Sequence, residues 1–179
     1  MRLVSLASGS SGNCILVDDG DTRLLVDCGI GPRTLKQRLT TAGVAPESIS
    51  GVLVTHEHID HVRGLEAAVA KWAWPVMGSA GTLHDLPAAV RPHAKPVRER
   101  GQVGGLQFEL IPVAHDAHEP TAYAITARAS GIRVGIAHDL GAPSDRLVAA
   151  FRGVDLLCIE ANHDVEMLRA GPYPAYLKA

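Results

Sequence analysis

Three histidines and two carboxylates lie within six residues of one another in the first half of the chain. This segment, from His56 to His61, reads His-Glu-His-Ile-Asp-His. An apolar run at 52–54 precedes it and apolar residues at helical spacing follow it, which predicts a loop held at the end of a buried strand. Imidazole and carboxylate together suit Zn, Mn or Fe. His56 and His58 can reach one ion, and Asp60 and His61, one turn further on, can reach a second.

Other candidate residues follow strands predicted later in the chain. His115 comes directly after one of them, in a loop where His118 is a competing candidate. Asp139 follows another strand, and its neighbour His138 is predicted to point to the opposite face and to pack there. His163 follows the last predicted strand. Spacing alone is weak evidence for these residues, but carboxyl ends of neighbouring strands can bring such loops together.

The Gly- and Ser-rich segment 8–13 is predicted to be a loop. Its glycines would allow the backbone to approach a substrate or a metal-bound anion closely. Ser10 and Asn13 are therefore candidate residues for contacting a substrate or supporting a ligand. A plain connection within a hairpin explains the same composition.

The overall composition is that of an ordinary globular protein. A length of 179 residues predicts a single domain, 1–179, with enough chain for a sizeable core. The formal net charge of −2 gives no general attraction for nucleic acid, so such a substrate would need a local basic patch. The stretch 87–96 is loop-like, with three prolines, and it is basic together with the residues just after it. This basic stretch is either a solvated face or a phosphate-binding surface; its basic residues are Arg91, His93, Lys95, Arg98 and Arg100.

The N-terminus does not match a signal peptide, and the sequence contains no apolar stretch of membrane length. The three cysteines, Cys14, Cys28 and Cys158, form no paired motif and lie in or beside apolar strands. They are predicted to be buried free thiols, which is typical of a reducing compartment. A cytoplasmic location and no membrane partner are therefore expected.

The order of predicted elements is similar in two halves, 1–100 and 101–179. Each half has three strands, an acid-x-Gly turn, a helix, a buried strand and then a His-bearing loop; the turns are 27–29 and 139–141. This pattern predicts an α/β fold (α+β layered) in which two stacked sheets are covered by helices, a four-layer αββα sandwich. The opposing interpretation is that α/β chains alternate in this way without being repeats.

The segment 56–61 matches the HxHxDH motif of the metallo-β-lactamase-fold hydrolases, which share the αββα architecture. The opening 6–14, Leu-Ala-Ser-Gly-Ser-Ser-Gly-Asn-Cys, resembles the start of one branch of that superfamily, the bacterial WalJ/YycJ-like proteins. The segments 112–120 and 160–164 also resemble that branch. Its members are described as 5′ to 3′ exodeoxyribonucleases, so the resemblance implies phosphodiester hydrolysis on DNA.

The resemblance also implies a metal centre with two divalent ions, Zn or Mn, with Fe as a further option. His56, His58 and His115 would hold one ion, Asp60 and His61 would hold the other, and Asp139 would bridge them. Two ions about 3.5–4 Å apart lower the pKa of a bound water to about 7. The expected nucleophile is thus a hydroxide bridging the metals, which the catalytic residue Asp60 could also orient or deprotonate.

The sequence departs from the family pattern at its C-terminal end. Family members carry a further metal-ligand histidine in a Gly-His segment shortly beyond the position of Ala179, and this sequence does not include it. The expectation is a C-terminally incomplete second half. The second ion could be held by Asp60, His61, Asp139 and waters, or His163 could substitute; otherwise His163 would contact a ligand or the substrate. An exposed sheet edge there could pair with another chain and form a homodimer.

Two further functions compete with DNA hydrolysis. One is hydrolysis of thioesters or small esters, as in glyoxalase II. The other is a metal-binding but catalytically impaired domain, because the last ligand is missing. Cleavage of β-lactams is disfavoured, because true β-lactamases of the superfamily carry Cys at the position of Asp139, and because His61 follows Asp60.

Overall fold

The computed structural model describes residues 1–160 together with residues 170 and 171. The first sheet has six strands in the order β1-β2-β3-β4-β5-β6. β1, β2 and β3 are antiparallel to one another, and β4, β5 and β6 continue the sheet parallel to β3. The strands are β1 (Arg2–Ala7), β2 (Cys14–Asp18), β3 (Arg23–Val26), β4 (Gly51–Leu53), β5 (Val76–Gly78) and β6 (Ala94–Pro96).

The second sheet has five strands in the order β11-β10-β9-β8-β7. Its pairs are antiparallel except for β10 and β11, which are parallel. β11 is the outer strand, and its Leu157 side chain is 53% exposed. A homodimer through this edge stays a prediction. The strands are β7 (Arg100–Val103), β8 (Leu106–Pro112), β9 (Thr121–Ala127), β10 (Arg133–Ala137) and β11 (Leu156–Ile159).

Five α-helices lie along the described chain, and sequence signals mark the beginning of three of them. α1 begins at Pro32, whose fixed φ suits a first helical turn, and Gly43 follows its end at φ 74°. Ser79 and Ser144 cap α4 and α5 by accepting hydrogen bonds from backbone N–H groups three residues on. The helices are α1 (Pro32–Thr41), α2 (Ile59–Val62), α3 (Leu65–Trp72), α4 (Ala80–His84) and α5 (Asp145–Phe151).

The side chains of β2 alternate between two packed layers. Ile15 and Val17 pack between the sheets, against residues such as Phe108 and Ile125 of the second sheet. Leu16 packs on the other face, in the cluster that contains the buried residues of α1 and α3. On the far side of the second sheet, α5 contributes a smaller apolar cluster. Helix, sheet, sheet and helix therefore form the four-layer αββα sandwich, and the predicted fold is confirmed.

The two sheets are also joined by hydrogen bonds at their common edge. The buried Tyr123 hydroxyl donates to the carbonyl oxygen of Val54 at 2.7 Å. The N–H of Thr121 donates to the carbonyl oxygen of Thr55 at 2.9 Å. Both acceptors lie in the segment that leaves β4, directly before His56. The start of β9 thus holds the first histidine-bearing loop in register with the second sheet.

The two halves share one local feature as well as their strand order. Asp27 after β3 and Asp139 after β10 both have positive φ, 62° and 49° respectively. Each begins one of the acid-x-Gly turns found in the sequence. The shared geometry supports a repeat, and the division into halves at about residue 100 stays a prediction.

Two local predictions need correction. The stretch 87–96 was predicted to be a loop, yet Ala94–Pro96 forms β6, because its backbone pairs in parallel with β5 at the edge of the sheet. An edge strand tolerates proline, since one side of its backbone needs no partner in the sheet. The helical pattern after the histidines is divided at Gly64 into α2 and α3. Among the described helices, none has the length and apolar character needed to cross a membrane.

Candidate metal centre

The loop after β4 is held in place by the turn 27–29 packed beneath it. The Cys28 N–H donates to the carbonyl oxygen of His61 at 2.8 Å, and the Asn13 N–H donates to that of Asp60 at 2.7 Å. A Cβ placed on Gly29 would lie 1.7 Å from the Asp60 carbonyl oxygen. Only glycine allows this approach, so the acid-x-Gly turn is a support on which the histidine-bearing loop rests.

The first candidate group consists of His56, His58 and His115, whose ligand atoms lie within 4.8 Å of one another. His58 Nδ1 and His115 Nε2 are 3.1 Å apart. The outer nitrogens of both rings contact Asp116: His58 Nε2 lies 3.2 Å from its carbonyl oxygen, and His115 Nδ1 lies 3.1 Å from its carboxylate. Asp116 thus orients both rings with their remaining nitrogens facing each other.

The second candidate group consists of His56, His61 and Asp139. Asp139 Oδ2 lies 2.6 Å from His61 Nε2 and 3.5 Å from His56 Nε2. Asp60 Oδ2 is 3.5 Å from His61 Nε2. The two groups share His56, so the Asp139 carboxylate lies beside the residue where they meet. The hydrogen bond from His61 lowers its pKa below the ordinary value despite partial burial, so it is an anion there.

The turn that carries Asp139 is attached to the loop that carries His115. The Gly141 N–H donates to the Ala114 carbonyl oxygen at 2.9 Å. In the first half, the turn 27–29 is also attached to a ligand-bearing loop, because the Cys28 N–H donates to the carbonyl oxygen of His61. Both ligand-bearing loops of the second sheet are therefore fixed to one another before any ligand binds.

His56 provides the test of whether a metal ion fits these residues. Its ring is 1% exposed, and its Nε2 atom is buried without a hydrogen-bond partner among the described residues. Burial, and secondarily the charge of His61, lower its pKa to about 3, so the ring is neutral and Nε2 carries an available lone pair. An unpaired buried acceptor is costly. A divalent ion would satisfy it, and the donor set of imidazole and carboxylate suits one.

Asp27 is the main residue that the sequence did not single out for the site. It is fully buried, and its Oδ2 lies 2.7 Å from His61 Nδ1. Its Oδ1 accepts a hydrogen bond from the Thr55 N–H at 2.8 Å. Burial opposes its ionisation, but His61 outweighs burial and holds its pKa well below the usual range. The sequence signal that could have identified Asp27 is the match between the turns 27–29 and 139–141.

His61 lies between two carboxylates and has no contact with bulk solvent. Burial favours its neutral form, but Asp27, and then Asp139, raise its pKa to about 10. Without a metal ion the ring is thus an imidazolium. A metal ion bound at Nε2 would take the place of that proton, which makes metal binding and protonation competing events at this atom.

Two residues of the segment 8–13 lie at the centre. Asn13 is 8% exposed, and its side-chain nitrogen is 3.2 Å from Asp60 Oδ2 and 3.1 Å from His61 Nε2. Ser10 lines an open cavity of about 360 Å³ together with Asp60 and Asp139. The cavity gives a ligand a path to both carboxylates. His163 lies outside the described residues.

His138 and His118 are placed differently from the metal-ligand candidates. His138 was predicted to pack away from the site, yet its Nδ1 is 3.5 Å from Asp27 Oδ2, behind His61. The turn that puts Asp139 at positive φ ends the strand alternation on which that prediction relied. His118 points to Asp85 at the end of α4, with Nδ1 2.9 Å from Oδ2.

Cys14 and Cys28 contribute no reactive thiolate to the centre. Cys14 and Cys28 are buried free thiols, as predicted, whereas Cys158 is only partly buried. Burial, with a smaller contribution from Asp27, raises the pKa of Cys28 to about 12. Burial also raises the pKa of Cys14 well above its ordinary value. Both stay protonated at neutral pH.

Residues 7–132 match the family model of the metallo-beta-lactamase superfamily. The chain belongs to the metallo-beta-lactamase superfamily. Membership in this superfamily of metal-dependent hydrolases confirms the resemblance seen in the HxHxDH segment, and it agrees with the clustering of histidine and aspartate at one edge of the sandwich.

Two curated members of the superfamily match almost the whole chain. An exodeoxyribonuclease, YycJ, of Bacillus anthracis is 35% identical over 97% of this chain. An exodeoxyribonuclease, WalJ, of Streptococcus pneumoniae is 32% identical, also over 97%. The matches cover 67% and 66% of those relatives, so the chain spans about two thirds of their length.

The fold of a solved superfamily member agrees with that of this chain. A metallo-beta-lactamase with a HARLDQ motif from Cronobacter sakazakii superimposes with a TM-score of 0.69. The superposition covers 88% of this chain and 76% of that one, at 15% sequence identity. At this identity the likeness establishes the superfamily fold.

Proposed function

We propose that this chain is a metal-dependent phosphodiesterase that removes nucleotides from DNA, acting from the 5′ end, with two divalent ions. The observation that carries the proposal is the pair of ligand groups that share His56, one of which includes Asp139, in a chain similar to relatives named exodeoxyribonucleases. In this proposal His56, His58 and His115 would hold one Zn or Mn ion, Asp60 and His61 would hold the other, and the Asp139 carboxylate would contribute to both. The proposed location is the cytoplasm.

Two divalent ions at this centre would activate a water molecule and stabilise charge on the phosphate oxygens. The chain's own residues would do the remaining work. Asp60, 26% exposed at its side chain, faces the cavity and can accept the proton of the attacking water. The amide of Asn13 donates to Asp60 and so holds the carboxylate in that position.

The DNA backbone requires positive charge near the centre, because the whole chain carries a net charge of −2. Arg98 is exposed and lines a cavity of about 750 Å³, and Lys95, three residues earlier in the chain, is exposed as well. Pro112, Val113 and Thr121 line the same cavity and flank the loop of His115. We propose that this basic surface, Lys95 and Arg98, contacts phosphates of the strand as it leaves the metal centre.

The proposal is tested by measuring metal content and nuclease activity together. The intact protein is loaded with Zn or Mn and assayed on duplex DNA labelled at the 5′ or the 3′ end, for the wild type, His58→Ala and Asp60→Asn. Asp21→Asn is the matched control, because Asp21 is an exposed carboxylate in the β2–β3 turn. The expected result is two ions at this centre, apart from any bound elsewhere on the chain, and stepwise release from the 5′ end; His58→Ala is expected to lose at least one of these ions and the release.

Two other outcomes would overturn the proposal, and a third would overturn its direction alone. Hydrolysis of a thioester, with no cleavage of DNA or of a generic phosphodiester, would support a glyoxalase II-type enzyme. One ion or fewer, with no cleavage, would support a metal-binding but catalytically impaired domain. Release of label from the 3′ end first would retain the phosphodiesterase but reject the proposed direction.

A further inference from the structure

A second cluster of metal-ligand side chains lies outside the centre, at the end of α4. Asp85, the residue after His84, has its two carboxylate oxygens against two histidines. Its Oδ1 lies 2.7 Å from His84 Nδ1, and its Oδ2 lies 2.9 Å from His118 Nδ1. All three side chains are exposed, and their ligand atoms lie within 4.8 Å of one another.

The chemistry of this cluster fits a borderline divalent ion. Two imidazoles and one carboxylate are three ligands of the kinds that Zn binds, and an exposed position leaves room for water as a fourth. Further negative charge lies close by, because Glu119 and Glu57 act on His118 in the same direction as Asp85. The guanidinium of Arg91 donates to the carbonyl oxygen of His84 at 3.2 Å.

The cluster joins α4 to the loop that carries His115. That loop is already docked on the helix, because the Gly81 N–H donates to Glu119 Oε2 at 2.6 Å and the Thr82 hydroxyl donates to the His118 carbonyl oxygen at 3.1 Å. A Cβ on Gly81 would lie 2.7 Å from the His118 ring, so the two segments are in close contact.

The same loop is also attached to the histidine-bearing loop of the first sheet. The His118 N–H donates to Glu57 Oε1 at 2.7 Å, and Glu57 lies between His56 and His58 in the sequence. The outer cluster is therefore connected to both segments that carry the histidines of the first group: His118 lies in the loop of His115, and its N–H is hydrogen-bonded to Glu57 in the other segment. Tightening this cluster would tighten the placement of His115.

We propose that His84, Asp85 and His118 form a third, outer divalent-metal site, which ties the loop of His115 to α4 when it is filled. Binding at this site does not depend on the nuclease activity proposed above. The inference that a filled outer site affects the metal centre, through the placement of His115, rests on the proposed function, in which His115 is a metal ligand.

Zinc stoichiometry of the full chain tests the binding. Equilibrium dialysis at pH 8 is followed by metal analysis for the wild type, His84→Ala and His118→Ala. His93→Ala is the control, because His93 belongs to none of the ligand groups among the described residues. Each cluster variant is expected to lose one equivalent of Zn relative to the wild type, and His93→Ala is expected to lose none.

A double variant, His56→Ala with His58→Ala, separates this site from the inner centre. It is expected to keep the outer equivalent and to lose it when His84→Ala is added. Zn added to the double variant should slow amide hydrogen exchange over 113–120. The proposal is overturned if His84→Ala and His118→Ala bind as much Zn as the wild type, or if only one of them loses the equivalent.

Discussion

The Thr55 hydroxyl determines which ring nitrogen of His56 is available to a metal ion. Its oxygen lies 2.9 Å from Asp27 Oδ2 and 3.0 Å from His56 Nδ1. The hydroxyl has one proton, which the carboxylate must receive because a carboxylate only accepts. The hydroxyl oxygen then accepts from an N–H at His56 Nδ1. Assigned from this network, the proton on Nδ1 leaves Nε2 of His56 free for a metal ion.

His61 is oriented by the same carboxylate. Its Nδ1 donates to Asp27 at 2.7 Å, which directs Nε2 toward Asp139. One buried aspartate thus sets the ring nitrogen that each of two histidines offers. Partners of this kind, behind the ligands, fix the tautomer and raise ligand basicity.

Asp27→Asn is expected to weaken Zn binding at the inner centre by about 10–100-fold, the range typical for such partners. The amide keeps the shape and one acceptor but removes the charge that supports both histidines. Zn affinity is measured by competition with a chelating dye, and thermal unfolding shows whether the fold persists. An affinity equal to that of the wild type would leave Asp27 with a structural role alone.

A carboxylate at the end of β2, beside the turn that leads to β3, should make stability depend on pH. Burial alone would raise the pKa of Asp18, but the Gly20 N–H and the guanidinium of Arg2 lower it below its ordinary value. Because the folded-state pKa is lower than the unfolded one, ionised Asp18 stabilises the fold above about pH 4. This contribution is lost as the pH falls through the folded-state pKa.

Asp18→Asn is therefore expected to lower the melting temperature at pH 7, and the difference from the wild type should shrink as the pH falls below about 4. Melting is followed by circular dichroism between pH 2.5 and 7. Asp21→Asn in that turn is the control and should melt like the wild type throughout. A deficit for Asp18→Asn that is as large at pH 2.5 as at pH 7 would contradict the assignment.

At the scale of elements, the close approach of the turn 27–29 to the histidine-bearing loop gives a sharp prediction. Gly29→Ala places a Cβ against the Asp60 backbone and is expected to displace the loop, with loss of inner-site Zn and a lower melting temperature. Gly31→Ala, two residues on, is the matched control, because a Cβ there has no atom within 4 Å. Equal Zn binding by the two variants would show that the loop does not depend on this contact.

The sequence predicted the ligand candidates better than their supports. Four of the ligand candidates lie within six positions of the sequence, so their types and spacing indicated a metal site without any knowledge of the fold; they are His56, His58, Asp60 and His61. The role of Asp27 depends on its distance from His61, 34 positions away, which only tertiary packing determines. β6 was missed because its propensity is poor and its hydrogen bonds come from β5.

At the scale of the whole molecule, the candidate ligands come from both sheets. In the first group, His56 follows β4 of the first sheet and His115 follows β8 of the second sheet. In the second group, Asp139 follows β10 of the second sheet. Ions bound there would hold the two sheets together in addition to the apolar layer between them. A ligand that binds only the folded state stabilises it by about 2.7 kcal/mol at 100 times its Kd.

Removal of metal with a chelator is therefore expected to lower the melting temperature, and excess Zn is expected to restore it. The measurement is calorimetry of the same sample before chelation, after chelation and after reloading. His58→Ala should respond less than the wild type, because it lacks an inner ligand. A melting temperature that is unaffected by chelator would show that the sheets dock without help from metal.

The hydrogen bonds from Thr121 and Tyr123 to the segment that leaves β4 have a practical consequence. They align the two halves of the chain, and neither half alone contains a complete set of candidate ligands. The exposed connection between β6 and β7 is a natural place to divide the protein into two fragments. Co(II) added to a mixture of such fragments would then act as a coloured reporter of complementation, since its d–d absorption would develop only as the fragments assemble.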